Sequence, residues 1–204
     1  TPDGQVHYRV GGSGEALLLL HQSPRSSDEY ADMIPILAQK KRVIAMDTMG
    51  FGDSDIPARP YSVEDYAQTV IMLLDHLGVE RTSIAAHHTG SKIAIEVAAS
   101  HPKRVDKLVL SGCYYHNEQA RQWLLALPQW VVKEDGSHLT EMFQWGMTQC
   151  GNARIAHRRV VDLLKAGETS EYGHKATAGY YLPDRLPLIQ SPTLLIYGEI
   201  GLQR

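Results

Sequence analysis

The stretch from Arg81 to Leu110, RTSIAAHHTGSKIAIEVAASHPKRVDKLVL, constrains the fold more than any other part of the chain. Ser83 to Ala86 is a short apolar run, and Ile93, Ile95, Val97 and Ala98 load the segment after the turn Ala86-His87-His88-Thr89-Gly90. A second apolar run follows from Lys107 to Leu110. The pattern predicts a buried strand, a tight turn, a helix from about Thr89 to Ser100 and a second buried strand. Small residues stand two positions before and two positions after His88. A strand that reverses straight into a helix crowds its own backbone, so only small side chains fit at those two places. The residue between them, His88, is forced outward onto a strained corner.

The neighbouring segments extend the same pattern. Gln5 to Val10 alternates weakly and predicts an antiparallel edge strand after the Asp3-Gly4 turn. Gly11, Gly12 and Gly14 precede a strand rather than a helix, so they read as a turn and not as a phosphate cradle. Ala16 to Leu20 is continuously apolar, as expected of a strand covered on both faces. A helix from Ser27 or Asp28 to about Lys40, interrupted at Pro35, leads to a strand at Val43 to Met46. Ser62 caps a helix from Val63 to Leu77 that Gly78 closes. Asp75 and His76 are adjacent on it and point about 100° apart, so both read as solvated. Strands alternating with helices predict an α/β fold with a doubly wound, mostly parallel sheet and right-handed crossovers. Ligands of such sheets bind at the carboxyl ends of the strands, where Ser23 and His88 both fall.

Composition narrows the function classes. The 204 residues suit one domain, and a net charge of -3 gives no reason to expect nucleic acid or an anionic membrane as partner. The longest apolar run, Ala16 to Leu20, is far too short to span a bilayer. Thr1-Pro2-Asp3-Gly4 reads as a polar turn and not as a secretory leader. Two cysteines, Cys113 and Cys150, predict reduced thiols and a cytoplasmic setting. No motif calls for a cofactor, and a small-molecule substrate is the expected partner. From about Tyr114 the pattern turns helical, with Trp123, Trp130 and Trp145 and no clear strand before Leu182.

Several motifs together resemble the α/β-hydrolase superfamily. Ala86-x-His88-x-Gly90 matches its small-x-nucleophile-x-small elbow, with His in the slot that usually holds Ser. His21-Gln22-Ser23-Pro24 resembles its His-Gly-x-Pro loop, with Gln22 in place of Gly. Asp47-Thr48-Met49-Gly50-Phe51-Gly52-Asp53-Ser54 resembles its Asp-x-x-Gly-x-Gly-x-Ser loop, in which the Asp is structural. Gly198-Glu199-Ile200-Gly201 resembles the end of its penultimate strand, with Gly201 where the orienting acid belongs and Glu199 as a candidate replacement.

The resemblance implies an α/β-hydrolase core at 1–113 and 183–204 and a helical cap at 114–182 inserted after the strand at 107–110. It also implies that a final strand and helix, with the loop carrying the catalytic histidine, lie outside this sequence, so the chain reads as part of a longer molecule. The Ser23 and Thr89 N–H groups are the oxyanion-hole donors it implies. Pocket residues are then His21, Gln22, His87, Trp123, Trp130 and Phe143, with Leu124 and Met147 also facing substrate. The plainer reading of His21 is a loop residue bonded to backbone, and that of Ser23 a turn before proline.

Three chemistries follow. As a neutral imidazole, His88 attacks activated acyl groups without a separate base, which suits a reactive ester, lactone or thioester. As a general base it suits a lyase or C–C cleavage. With the serine and the acid both replaced, the same scaffold also serves as a small-molecule binding protein. A metal site at His21, His87 and His88 is disfavoured, because adjacent histidines diverge at a sharp turn and no Cys or carboxylate is placed to complete it. His116, His138, His157 and His174 have no ligand spacing.

Overall fold

The computed structural model describes residues 1–127 and 131–198. Among the described residues, six strands form one sheet in the order β1-β3-β2-β4-β5-β6: β1 Tyr8–Gly11, β2 Ala16–Leu20, β3 Arg42–Met46, β4 Thr82–His87, β5 Val105–Ser111 and β6 Thr193–Ile196. β1 runs antiparallel to β3, and every other pairing is parallel. The doubly wound, mostly parallel sheet expected from the sequence is therefore present.

Each central strand is apolar on both sides because both faces are covered. Leu18, Leu20, Ile44, Met46 and Ile84 pack on the face carrying α2 (Val63–His76) and α3 (Thr89–Ser100), with Tyr66, Val70, Leu74, Ile93 and Val97. Leu19, Val43 and Ala45 pack on the other face against Tyr30, with Ile34 and Leu37 beside them. α2 begins in a capping box: Ser62 Oγ accepts from Asp65 N, and the Asp65 carboxylate accepts from Ser62 N.

The segment expected to form one helix from Ser27 to Lys40 is broken. Ser27–Tyr30 is a 3₁₀ turn, and α1 is a single turn at Ile34–Leu37 with Pro35 in its first positions. A continuous helix would need an N–H at residue 35, which proline lacks, so the chain restarts there.

Between β5 and β6, the described residues form four α-helices, α4 Glu118–Leu125, α5 Ser137–Cys150, α6 Ala153–Ala166 and α7 Tyr172–Gly179. Gly151, with φ 61°, and Asn152 turn α5 into α6, and Asn152 Oδ1 caps α6 through the Arg154 and Ile155 N–H groups. α5 packs on α6, and α4 packs on α7, which in turn rests on α3. Much of the attachment to the sheet side is ionic. Buried Asp162 accepts from Arg25 Nε and from Ser26 Oγ, both at 2.6 Å. Arg158 reaches Asp28 at 2.6 Å and Asp32 at 2.7 Å, and Lys165 reaches Asp53 at 2.7 Å. Both cysteines are free thiols. Among the described residues, no helix is long and apolar enough to cross a membrane.

Candidate functional site

The corner between β4 and α3 is as tight as its sequence demands. His88 has φ 51° and ψ -109°, and no other non-glycine described residue has a positive φ. That backbone costs an L-residue of order 1–3 kcal/mol and persists only where its surroundings hold it. They do so here. His88 N donates to Ser111 O at 2.8 Å, Ser91 N donates to His88 O at 3.0 Å, and Ser91 Oγ lies 3.1 Å from the Ala86 carbonyl oxygen. A Cβ on Gly90 would stand 2.3 Å from Leu20 O, so a larger residue there would separate α3 from β2. The crossover from strand to helix thus puts the imidazole of His88 at the carboxyl edge of the sheet.

The loop after β2 comes up beside the corner. Ser23, whose bond to Pro24 is cis, is buried, and its N–H donates to Thr89 Oγ1 at 3.4 Å. This brings Ser23 and Thr89, the two expected donors, to one place at the start of α3. His21 turns away from it. Its Nδ1 lies 2.8 Å from Gln22 O, its Nε2 accepts from Thr48 N at 3.0 Å, and its ring stands edge-on to Phe51. His21 therefore ties the β2 loop to the β3 loop. Asp47 does the same from the other side, accepting from Ser27 N at 2.5 Å and Asp53 N at 3.0 Å. His7 also bonds Asp47, and His7, Asp47 and Asp53 are the one group among the described residues whose ligating atoms lie close enough for a metal. Asp47 already has its oxygens engaged by the protein.

Glu29 organises Gln22 and His87. Its carboxylate accepts from Gln22 N and Gln22 Nε2 at 2.9 Å each and contacts His87 Nδ1 at 2.6 Å. Burial works to raise the pKa of Glu29, but the His87 contact, the Gln22 N–H and the charge of Arg25 outweigh it and hold the carboxyl below its usual range. Held by Glu29, the His87 ring keeps an edge contact with His88, their centroids 6.4 Å apart and the planes at 75°.

Around His88 stand Tyr114, at 6.1 Å between centroids, and His174, at 6.2 Å with the planes at 89°. His174 comes from α7, and its Nδ1 is 2.7 Å from Glu171 Oε2. Gly173, one residue earlier, presses its backbone on the β2 loop: a Cβ there would stand 1.9 Å from Ser23 Oγ and 3.3 Å from Thr89 Cγ2. Lys92, one turn along α3 from His88, is buried, with Nζ 2.7 Å from His116 Nδ1 and 3.3 Å from Thr177 O. A narrow cleft runs between His88, Thr89, Lys92, Gly112, Tyr114, His116 and Thr177, too tight as it stands for a water-sized sphere.

The electrostatics of this cleft favour neutral groups. Burial first, and then the neighbouring His174, His87, His116 and Lys92, push the pKa of His88 down to about 3. Burial and the Lys92 charge push His116 down to about 4. Burial also lowers Lys92 to about 8, against the opposing influence of Cys113. At neutral pH, His88 is thus an uncharged imidazole with a lone pair available.

A family model described as alpha/beta hydrolase fold matches residues 15–201. The chain belongs to the α/β-hydrolase family. It is similar to an uncharacterised protein of Mycobacterium tuberculosis, 40% identical over 103 residues that make up 50% of this chain and 30% of that protein. It is also similar to a soluble epoxide hydrolase of Corynebacterium sp., 35% identical over 106 residues, 52% of this chain and 37% of that enzyme. These matches span about half of this chain and only 30% and 37% of those relatives' lengths. Among solved structures, a thermophilic esterase from Thermogutta terrifontis superposes with a TM-score of 0.79 at 21% identity, covering 95% of this chain and 75% of that one. At that identity the likeness concerns the fold.

Within this α/β-hydrolase, the residues expected at the site divide sharply. His88, Ser23 and Thr89 lie together, Gln22 and His87 lie beside them bound to Glu29, and His21 is turned to Thr48. Trp123 is 64% exposed and Phe143 half-buried, and neither lines the cleft at His88. Trp130, Glu199 and Gly201 lie outside the described residues. Glu29, Lys92, His116, Glu171 and His174 were not singled out as site residues. Lys92 comes to the cleft one turn into α3, and its place beside His88 depends on the corner's backbone, which helical spacing does not describe. Glu29 meets its partner across 58 positions of sequence, and nothing local announces such a contact.

Proposed function

We propose that this α/β-hydrolase cleaves a small ester, lactone or related acyl compound, with His88 as the attacking group. The observation that carries this reading is an imidazole set on the strand-to-helix corner at φ 51°, its pKa lowered to about 3 and its ring therefore uncharged with a free lone pair at physiological pH. Attack by an imidazole nitrogen forms a C–N bond to the acyl carbon and breaks the C–O bond to the leaving alcohol. The leaving oxygen takes up the imidazole N–H proton, giving the alcohol and an acyl-imidazole. The N–H groups of Ser23 and Thr89 are the donors for the oxyanion, and donors already fixed in place stabilise it more than mobile water does. The helices between β5 and β6 form the cap, enclosing the 114–182 side of the site, while the core comprises 1–113 and 183–204. Similarity to a soluble epoxide hydrolase supports hydrolytic chemistry on a small molecule.

The test is an intact-mass spectrum taken within milliseconds to seconds of mixing with p-nitrophenyl acetate. An acetyl adduct in the parent chain that is absent from His88→Ala supports the reading. An adduct of equal yield in His88→Ala removes His88 from the role. Unchanged ligand affinity in His88→Ala, with no turnover by the parent, would instead favour a binding protein on this scaffold.

A further inference from the structure

We propose that Lys92 receives a carboxylate of the substrate, so that the compound cleaved at His88 is an ester or lactone carrying a carboxylate a short carbon chain from its acyl group. The inference rests on the reading of the cleft as the reaction site and names the substrate class it takes. Lys92 is only 3% exposed, and it lines the same cleft as His88. Its ammonium therefore stands inside the site and not on the outer surface of α3.

That ammonium has no anion. It carries three donors and no acceptor. Two of the donors are used, toward His116 Nδ1 at 2.7 Å and the Thr177 carbonyl at 3.3 Å, and both acceptors are uncharged. Burial and the positive charge of Arg121 oppose its ionisation, and among the described residues only the Cys113 thiol works the other way. Glu29 and Glu171, the acids that reach the histidines flanking His88, are taken up by His87 at 2.6 Å and His174 at 2.7 Å. Buried ammonium groups are as a rule paired, because an unpaired one is costly. A donor to the Thr177 carbonyl needs no charge. What the charge adds at this place is attraction for an anion, weakly screened because the group is buried.

As it stands the cleft does not admit a water-sized sphere, so the carboxylate takes the place of His116 as an acceptor for Lys92. His116 and Tyr114 belong to the segment from Gly112 to Asn117, which contains neither helix nor strand and begins at Gly112 with φ 60°. Movement of this wall breaks no sheet or helix hydrogen bond beyond Gly112, whose N–H donates to Ile196 O. The exchange replaces a neutral imidazole by a charged partner at Lys92 and leaves His88 in place.

The test is calorimetric titration of the full chain with glutarate and with glutaramide, its uncharged counterpart of similar shape. Glutarate should bind the parent chain roughly 10- to 100-fold more tightly, the worth of one hydrogen bond to a charged group. Lys92→Met, which keeps the length of the side chain without its charge, should lose that preference whatever happens to affinity for both compounds. In the unsubstituted chain, glutarate and not glutaramide should shift the NMR resonance of the Lys92 ε-carbon, a readout that needs no variant to fold. No binding of glutarate, equal affinity for the two compounds, or a preference that persists in Lys92→Met overturns the carboxylate site and leaves acyl transfer to His88 standing. A preference that Lys92→Met abolishes, in a parent chain that forms no acetyl adduct, supports the carboxylate site and removes His88 as the attacking group, so the two failures are distinguishable.

Discussion

His88 combines a costly backbone with a costly charge, and the second makes its ionisation a property of the fold. In an unfolded chain its imidazole titrates near 6.5, whereas in the folded protein burial and four neighbouring basic groups lower the pKa to about 3. Between those values the unfolded chain binds the additional proton, so stability rises with pH across the window and is lost as pH falls through it. From pH 7 to pH 5 His88 alone removes about 2 kcal/mol, and His116, lowered to about 4, acts in the same direction. Urea unfolding at the two pH values checks this. His88→Gln should flatten the difference by about 2 kcal/mol, and an unaltered pH dependence would show that His88 ionises freely in the fold. The position of His88 was legible in the sequence from the small residues around it. Its ionisation was not, because His174 and His116 approach from segments that sequence spacing does not relate to the corner.

At the level of elements, the sheet and the helices α2 and α3 were legible, since apolar runs and a capping box are local signals. The stretch from Ser27 to Lys40 was less so. Its apolar spacing is helical, but Pro35 and the bonds of Ser27, Glu29 and Tyr30 to other segments divide it. Pocket roles for Trp123 and Phe143 follow from the cap that the resemblance implies, and the place of a cap in sequence does not say which way its helices are turned. α7, with no aromatic signature of this kind, is the element that reaches His88. Its register depends on Gly173, where a Cβ would stand 1.9 Å from Ser23 Oγ. Gly173→Ala should therefore cost about 1–3 kcal/mol, as overpacking of a close contact does, despite the better helix propensity of alanine. It should also move His174 off His88. Urea unfolding measures the first effect, and loss of the contact between the two imidazole rings by NMR measures the second. A stabilised variant with the rings still in contact would mean that α7 has room to spare.

Across the whole molecule, two kinds of cohesion meet. The sheet with α2 and α3 shares one large apolar core, whereas α5 packs on α6 and α6 reaches the sheet side largely through charges. Order in such a chain is divided, because ionic links can open while the apolar core stays closed. Asp162 is the deepest of these links, its side chain 3% exposed and its partner Arg25 only 6% exposed. Asp162→Ala leaves Arg25 as a buried charge without its anion, and breaking a pair in this way costs about 3–5 kcal/mol. The loss should fall on the attachment of α6 and not on the sheet. Amide hydrogen exchange in α5 and α6 should then accelerate by roughly 100- to 4000-fold, while amides of β2, β3 and β4 keep nearly their parent rates, each 1.4 kcal/mol being a factor of ten. Replacing Arg25 as well, in Arg25→Met with Asp162→Ala, should restore part of the protection, since an apolar pair of similar size is tolerated where a lone charge is not. Equal acceleration in the helices and the sheet would mean that the molecule opens as one unit, and movements of α7 over His88 would then be tied to global unfolding.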